Sequence, residues 1–403
     1  MKRYTLQALL LAAVAAAPAA AQTTDSLVYA ESGSTLRFRV NSDGGLVSTG
    51  TWDGNEAAVG AGGVPLEGAG SRVMWFGGKA AFRAGNVTGF GSTYWNLASL
   101  GFGSAAFGQN TRASGNYSFA AGLATTASGD ESVALGNNGT ASADRAFAFN
   151  GTASAVGAVA IGSGAQATND DALALGPSSI AGGLASITIG PSIANGNFGV
   201  AIGLQNSASG QFSVAIGKNA RTANRQGSIV LGDGCASFSS DSVFPTANNQ
   251  FVVRGCGGIK MFTNQNLTAG VELAAGGSGW SAVSDRNRKD NFLGLDGEDI
   301  LARLRNVPVS TWNYRTQEAS IRHMGPMAQD FHAAFGLGEN PLMINSVDID
   351  GVNMAAVQAL TARTDALRTE NEALRAENAT QAAQIADLQA RMERLEALVA
   401  PKP

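Results

Sequence analysis

A five-residue motif recurs through the middle of the chain at nearly constant spacing. It reads SAAFG ending at Gly108, SFAAG at Gly122, SVALG at Gly136, AFAFN at Asn150, AVAIG at Gly162, ALALG at Gly176, SITIG at Gly190, GVAIG at Gly203, SVAIG at Gly217 and SIVLG at Gly232, in steps of 14, 14, 14, 12, 14, 14, 13, 14 and 15 residues. A weaker motif falls between them: RASG (112–115), TASG (126–129), TASA (140–143) and SASG (207–210). Self-similarity of this kind marks a solenoid, because one copy cannot bury its apolar face alone whereas stacked copies can. Large residues alternate with Ala, as Val133 and Leu135 flank Ala134, which is the period of a short strand with one apolar face and one small face. Stacking is expected to bury the apolar face and to leave Ala and Ser outward, where their size lets other chains pack close. Gly at the pentad end supplies the freedom for a turn.

Over residues 104–232 this pattern resembles the head repeat of YadA-type trimeric adhesins. The resemblance implies a mainly β fold, a parallel β-roll of 14-residue repeats assembled as a homotrimer, surface display, and contact with a host or matrix ligand, protein or glycan. The calcium-binding nonapeptide solenoid would need a regular Asp, and only ten charged residues occur from 104 to 232, so it is rejected. The same stretch has no His and no Cys, and its acids are scattered as Asp130-Glu131, Asp144 and Asp170-Asp171. Adjacent acids on a turn read as solvated tips rather than a general acid and base.

Residues 1–21 open with Lys2 and Arg3, continue through LQALLLAAVAAA and end in Ala19-Ala20-Ala21, the layout of a secretory signal peptide. No later stretch reaches the ~20 apolar residues of a membrane span, so the mature chain is expected to be secreted or at the cell surface without a transmembrane segment. The sequence runs out at PKP, and no C-terminal membrane barrel of the YadA type is expected. A net charge of -4 excludes the basic face that nucleic acid demands. Cys235 and Cys256 are the two cysteines; after export they are either a disulfide or two small buried thiols. Residues 22–103 read as short strands and turns, with TLRFRV (35–40) and GSRVMWFGGKAAFRAG (70–85) as strand candidates. Trp75 and Trp95 there are either core or stacking surfaces for a carbohydrate.

At residue 284 the composition changes, and thirty of the chain's 58 charged residues fall in the final 120. EDILARLRNV (298–307) has helical period with Ile300, Leu301, Leu304 and Val307 on one face and Asp296 or Asp299 at its start. Trp312 and Tyr314 alternate as on a strand. HMGPMAQDFHAAFGLG (323–338) reads as a loop through Gly325 and Pro326, then a helix stopping at Gly336 or Gly338. DIDG (348–351) lacks the remaining ligands of a calcium loop and reads as a turn. Beyond it, heptad positions fall at Val357, Thr364, Asn371, Asn378, Ile385, Met392 and Val399, and at Leu360, Leu367, Leu374, Gln381, Leu388 and Leu395. That is the pattern of a coiled coil, with Asn371, Asn378 and Gln381 fixing register at some cost in stability.

Ser284-Asp285, Lys289, Asn291-Phe292, ILARL, WNY, GPMAQDF and a C-terminal coil, in that order, are similar to the intramolecular chaperone domain of phage endosialidase tail spikes. Such domains guide a β-rich fibre into a trimer and then cut themselves off. The resemblance implies Ser284 as nucleophile, Lys289 as its base and a scissile bond between Val283 and Ser284. A neutral amine can take the Ser proton, burial beside other cations lowers a lysine pKa, and Arg286 and Arg288 are the candidates for that tuning. The chain departs from many members of the family in having Asn287 and Arg288 where they have Arg and Leu. The bland alternative is that Ser284-Asp285 caps a turn while Lys289 is solvated; His323 and His332 are alternative partners. No cofactor or metal is expected.

The expected order is signal peptide (1–21), N-terminal β-rich segment (22–103), head repeats (104–232), connector (233–283), α+β chaperone and autopeptidase domain (284–355) and coiled coil (356–400). The expected function is a secreted trimeric fibre whose chaperone is released by Ser/Lys autoproteolysis. The alternatives are a non-cleaving trimer on a permanent coiled-coil foot, or a glycan-degrading spike using carboxylates among Glu31, Asp43, Asp53, Glu56 and Glu67.

Overall fold

The computed structural model describes residues 26–32, 35–42, 44–49, 64–235 and 241–399. The signal-peptide residues 1–21 lie outside them. The chain divides into two compact units, Met1–Gly257 and Gly258–Pro403.

In the first unit the ten pentads become ten short parallel strands, from Ala105–Gln109 to Ile229–Gly232, paired in strict register so that Ala134 faces Ala120 on one side and Ala148 on the other. The intervening motifs form a second parallel sheet of two-residue strands, including Thr126–Ala127, Thr140–Ala141 and Thr152–Ala153. The ladder of the first sheet runs beyond both ends of the repeat. Ala81–Val87 joins it in parallel with Ala105–Gln109, and Phe251–Arg254 joins it in parallel with Ile229–Gly232. The solenoid therefore starts inside the segment read as N-terminal and ends inside the one read as a connector. Among the described residues, a separate antiparallel sheet holds Ser26–Ser32, Thr35–Asn41 and Leu46–Ser48.

The polarity of the strands is opposite to the sequence expectation. Ala106, Ala120, Ala134, Ala148, Ala160 and Ala174 are fully buried, as are Ala113, Ala127 and Ala141 of the second sheet. The large residues point outward: Phe107, Phe149, Ile161, Ile189 and Ile216 are exposed, and Val133 and Leu135 half-buried. A coil of 14 residues with two short strands has room between its sheets for methyl groups only, so the small face is the inside. Sheets packed through larger side chains sit ~10 Å apart. Ser118, Ser132 and Ser213 fill out the same column, each donating its hydroxyl to the carbonyl three residues back at 2.6 Å.

Stacking this tight explains the pentad glycine. Gly122 has φ +122°, and a Cβ there would run into the carbonyl of Gly136 in the next coil. Only glycine meets both demands.

The first end of the alanine column is closed by Val64, Met74, Phe76, Val87, Trp95 and Leu100. Trp95 is buried and donates Nε1–H to Thr111 O at 2.8 Å, whereas Trp75 is exposed. Arg83 stands in register with Ala106, fully buried, and donates to Ser104 O, Ser104 Oγ and Ala113 O at 2.8–3.0 Å. At the other end Cys235 and Cys256 are joined as a disulfide with Cα atoms 6.4 Å apart. Beside it Arg254 pairs with Asp233 at 2.8 Å. The Cys256 backbone N–H, first among several donors, holds the Asp233 carboxyl below its ordinary range.

The second unit opens with an antiparallel sheet of Ile259–Phe262, Gly270–Leu273 and Trp280–Ala282. Helix α1 (Gly297–Arg305) is capped by Asp296, whose carboxylate accepts from the Glu298 N–H; Asp299 pairs with Arg303 instead. Helix α2 (Ala328–Phe335) stops at Gly336, which takes φ +65°. Ile300, Phe331, Val352 and Ala356 form the core, flanked by Leu301, Leu304 and Phe335.

Two local expectations are corrected. His323–Pro326, read as a loop, is a strand paired with Val309–Trp312, because Trp312 stacks on His323 at 4.8 Å across the pair. DIDG, read as a turn, lies in the first turns of α3 (Ser346–Val399). Asn345 caps that helix by accepting from the Val347 N–H, and Gly351 is tolerated within it. The helix passes through residues 355 and 356 without a break. No helix among the described residues is long and apolar enough to cross a membrane.

Candidate functional site

Ser284 sits where an extended strand gives way to a tight turn. On its N-terminal side the strand Trp280–Ala282 is followed by Val283, whose N–H donates to Gly270 O at 3.3 Å. On its C-terminal side Asp285 caps a single 3₁₀ turn, Arg286–Arg288, by accepting from the Asn287 N–H at 2.9 Å. An Asp side chain that accepts from the backbone two residues on makes an Asx-turn. The Lys289 N–H closes the turn on Arg286 O at 3.2 Å. This turn folds the lysine back so that its Nζ donates to Ser284 Oγ at 2.7 Å.

The pair is therefore within the reach a nucleophile and its base require. Both residues are exposed in the single chain. The burial that the sequence reading invoked is thus not provided by this chain's own packing. Nor are Arg286 and Arg288 free flanking charges. Arg288 lies 3.7 Å from Asp285 and reaches Thr268 O, and the Arg286 guanidinium sits 5.8 Å over the Phe292 ring.

The other candidates are placed elsewhere. His323 shares a hydrogen with Gln317 Oε1 at 2.9 Å and His332 with Leu337 O at 2.9 Å, each a local tie rather than a partner for Ser284. Asp43, Asp53 and Glu56 lie outside the described residues, as does the side chain of Glu31. Glu67 accepts from the Leu97 N–H. Asp130 and Asp144 accept from the backbone N–H groups of Asn116 and Asp130, tying successive coils together at their tips. Asp233, Cys235 and Cys256 cluster closely enough to suggest a metal site, but the sulfurs are spent on each other and the carboxylate on Arg254 and Cys256. Such a donor set does not fit a metal ion.

Sequence reasoning missed two parts of this site: the pinning of Val283 by Gly270, which depends on a hairpin register, and the stacking of Arg286 on Phe292. Asp285 was visible only as a generic cap.

The family described as chaperone of endosialidase matches residues 284–336, beginning at the serine itself. The YadA head domain repeat matches residues 99–125, 127–149, 153–187 and 194–220. No curated protein matches the chain. The chain thus has a solenoid whose repeats match the YadA head domain repeat, followed from Ser284 by a segment that matches the chaperone of endosialidase family.

Proposed function

We propose that the chain is an exported, homotrimeric, adhesin-like fibre whose C-terminal domain drives assembly and is then released by one self-inflicted cut between Val283 and Ser284. The observation that carries this reading is the 2.7 Å hydrogen bond from Lys289 Nζ to Ser284 Oγ at the first residue of the chaperone segment.

In this reading Lys289, as the neutral amine, takes the Ser284 hydroxyl proton while Oγ attacks the Val283 carbonyl carbon. The proton passes to the departing amide nitrogen, leaving Val283 esterified to Ser284 Oγ. Water then hydrolyses the ester, restoring the hydroxyl and leaving a carboxylate on Val283 and an amine on Ser284. The attack is intramolecular, so proximity favours it, but the planar peptide must be distorted first. The pairing of Val283 to Gly270 on one side and the capped turn on the other hold the two ends of that peptide against each other.

Trimerisation is supported by two surfaces. Phe107, Phe149, Ile161, Ile189 and Ile216 stand exposed along the outward face of the solenoid, apolar surface of the kind that marks an interaction site. Along α3, Leu360, Leu367, Leu374, Ile385, Leu388, Met392 and Leu395 are all exposed at heptad spacing, the seam of a coiled coil. Exposed host or matrix molecules, protein or glycan, are the proposed ligands of the assembled head.

Exposure of the dyad favours a second reading, in which the foot stays attached and the seam is a junction only. Intact mass decides. Two fragments meeting between Val283 and Ser284 in the wild type, with Ser284→Ala and Lys289→Ala whole, support self-cutting; three whole chains support the permanent foot.

A further inference from the structure

An uncovered apolar run follows the dyad directly. Between Lys289 and α1 the chain has no helix or strand, and Phe292, Leu293 and Leu295 are 64%, 88% and 72% exposed. The same unit holds an unfilled cleft of 690 Å³, lined by Trp312, Tyr314, Pro326, Met327, Leu342 and Met343. That volume lies in the range that encloses a drug-sized ligand, or a few large side chains. Its wall is an aromatic cluster in which Trp312 meets Tyr314 at 4.9 Å. Its rim, Leu342 and Met343, is as exposed as the run. Trp312 Nε1–H is buried without a hydrogen-bond partner among the described residues.

We infer that the Phe292–Leu295 run of one copy docks into the Trp312–Met343 cleft of a neighbouring copy, and that this exchange holds Ser284 and Lys289 in place for the cut. The inference rests on the trimeric, self-cutting reading above. A knob and a socket on one chain that leave each other empty make a heterologous contact, and such contacts close into a ring in a cyclic assembly. The exposed heptad seam of α3, in the same unit as the run and the cleft, would bring neighbouring copies together. The link to chemistry is short. Phe292 carries the Arg286 guanidinium on its ring, and Arg286 begins the turn that returns Lys289 to Ser284. Seating the run in a neighbour thus immobilises the turn and covers a dyad that the single chain leaves open to water.

The test uses full-length chains in a Ser284→Ala background, which keeps every chain whole. Chains carrying Leu293→Cys and chains carrying Met343→Cys, with tags of different length, are produced together and mildly oxidised. A disulfide joining the two kinds of chain is expected. Absence of that product overturns the docking. In the otherwise wild-type chain, Leu293→Asp with Leu295→Asp is expected to slow the cut by about 100-fold, the scale of a small misplacement of reacting groups, when scored on trimeric material. Cutting at the wild-type rate there also overturns it. If the wild-type chain itself stays whole, the self-cutting reading fails instead, and the cross-link decides the docking alone.

Discussion

Lys289 Nζ donates to Ser284 Oγ over 2.7 Å, and a single Asp285-capped turn joins the two residues. On the self-cutting reading proposed above, the lysine is replaceable only by a group that can accept a proton. Lys289→Ala and Lys289→Arg are both expected to slow the cut by about 10²- to 10⁴-fold, the contribution of a positioned base. Arg fails because its guanidinium stays protonated. Asp285→Ala, which removes the cap but not the dyad, should give a smaller loss. Fragment yield over time after folding measures all three; a fully active Lys289→Arg chain would remove the lysine from the mechanism.

The alanine column has no room to grow. Ala134→Val adds two methyl groups between sheets that meet through methyl groups, and overpacking of this kind costs about 1–3 kcal/mol. Leu135→Ser, one residue along and facing outward, should leave the coil's own stability nearly unchanged and weaken association of copies. Thermal unfolding and sedimentation separate the two effects; the opposite assignment of effects would mean the strands face the other way.

Gly122→Ala should damage the solenoid more than any outward substitution, since a Cβ at φ +122° meets the Gly136 carbonyl of the next coil. A proteolytic nick within residues 119–137 after mild digestion, absent from the wild type, is the expected sign.

Arg83 is a buried cation held by carbonyl and hydroxyl oxygens. Burial lowers its guanidinium from the ordinary arginine range to about 10. Above about 10 the folded chain gives up a proton that the unfolded chain, with its ordinary higher pKa, keeps, so this residue makes stability rise with pH over the window that opens there. Arg83→Met should abolish that rise. At neutral pH it should destabilise the first unit by about 1–3 kcal/mol through oxygens left unpaired. Denaturant midpoints at pH 7 and pH 11 for both proteins check each half; equal slopes with pH would refute the first.

The disulfide closes the last coil. Cys235→Ser with Cys256→Ser should lower the stability of the first unit by about 3 kcal/mol in the chain-entropy account. Below the ordinary carboxyl range the loss should grow at this same end. The Asp233 carboxyl is held down chiefly by the Cys256 N–H, so its stabilisation is present above the unfolded pKa and vanishes as pH falls through the lower folded one. Acid unfolding of Asp233→Asn beside the wild type measures that term.

Repeat spacing determined that the middle of the chain is a parallel solenoid, because only stacked copies let the same five positions recur in the same environment ten times. Local chemistry narrowed the start of α1 to Asp296 or Asp299 and the end of α2 to Gly336 or Gly338, and the structure uses Asp296 as cap and Gly336 as stop. The direction of the strands was decided elsewhere. Alternation of Val133, Ala134 and Leu135 defines two faces but not which one is inside, and that depends on how far apart two sheets of one coil can stand. For the same reason the sequence displayed Ser284 and Lys289 five residues apart without showing that they touch. Their contact depends on a hairpin register that pins Val283 to Gly270 and on a turn that reverses the chain after it, both properties of backbone paths that close only in three dimensions.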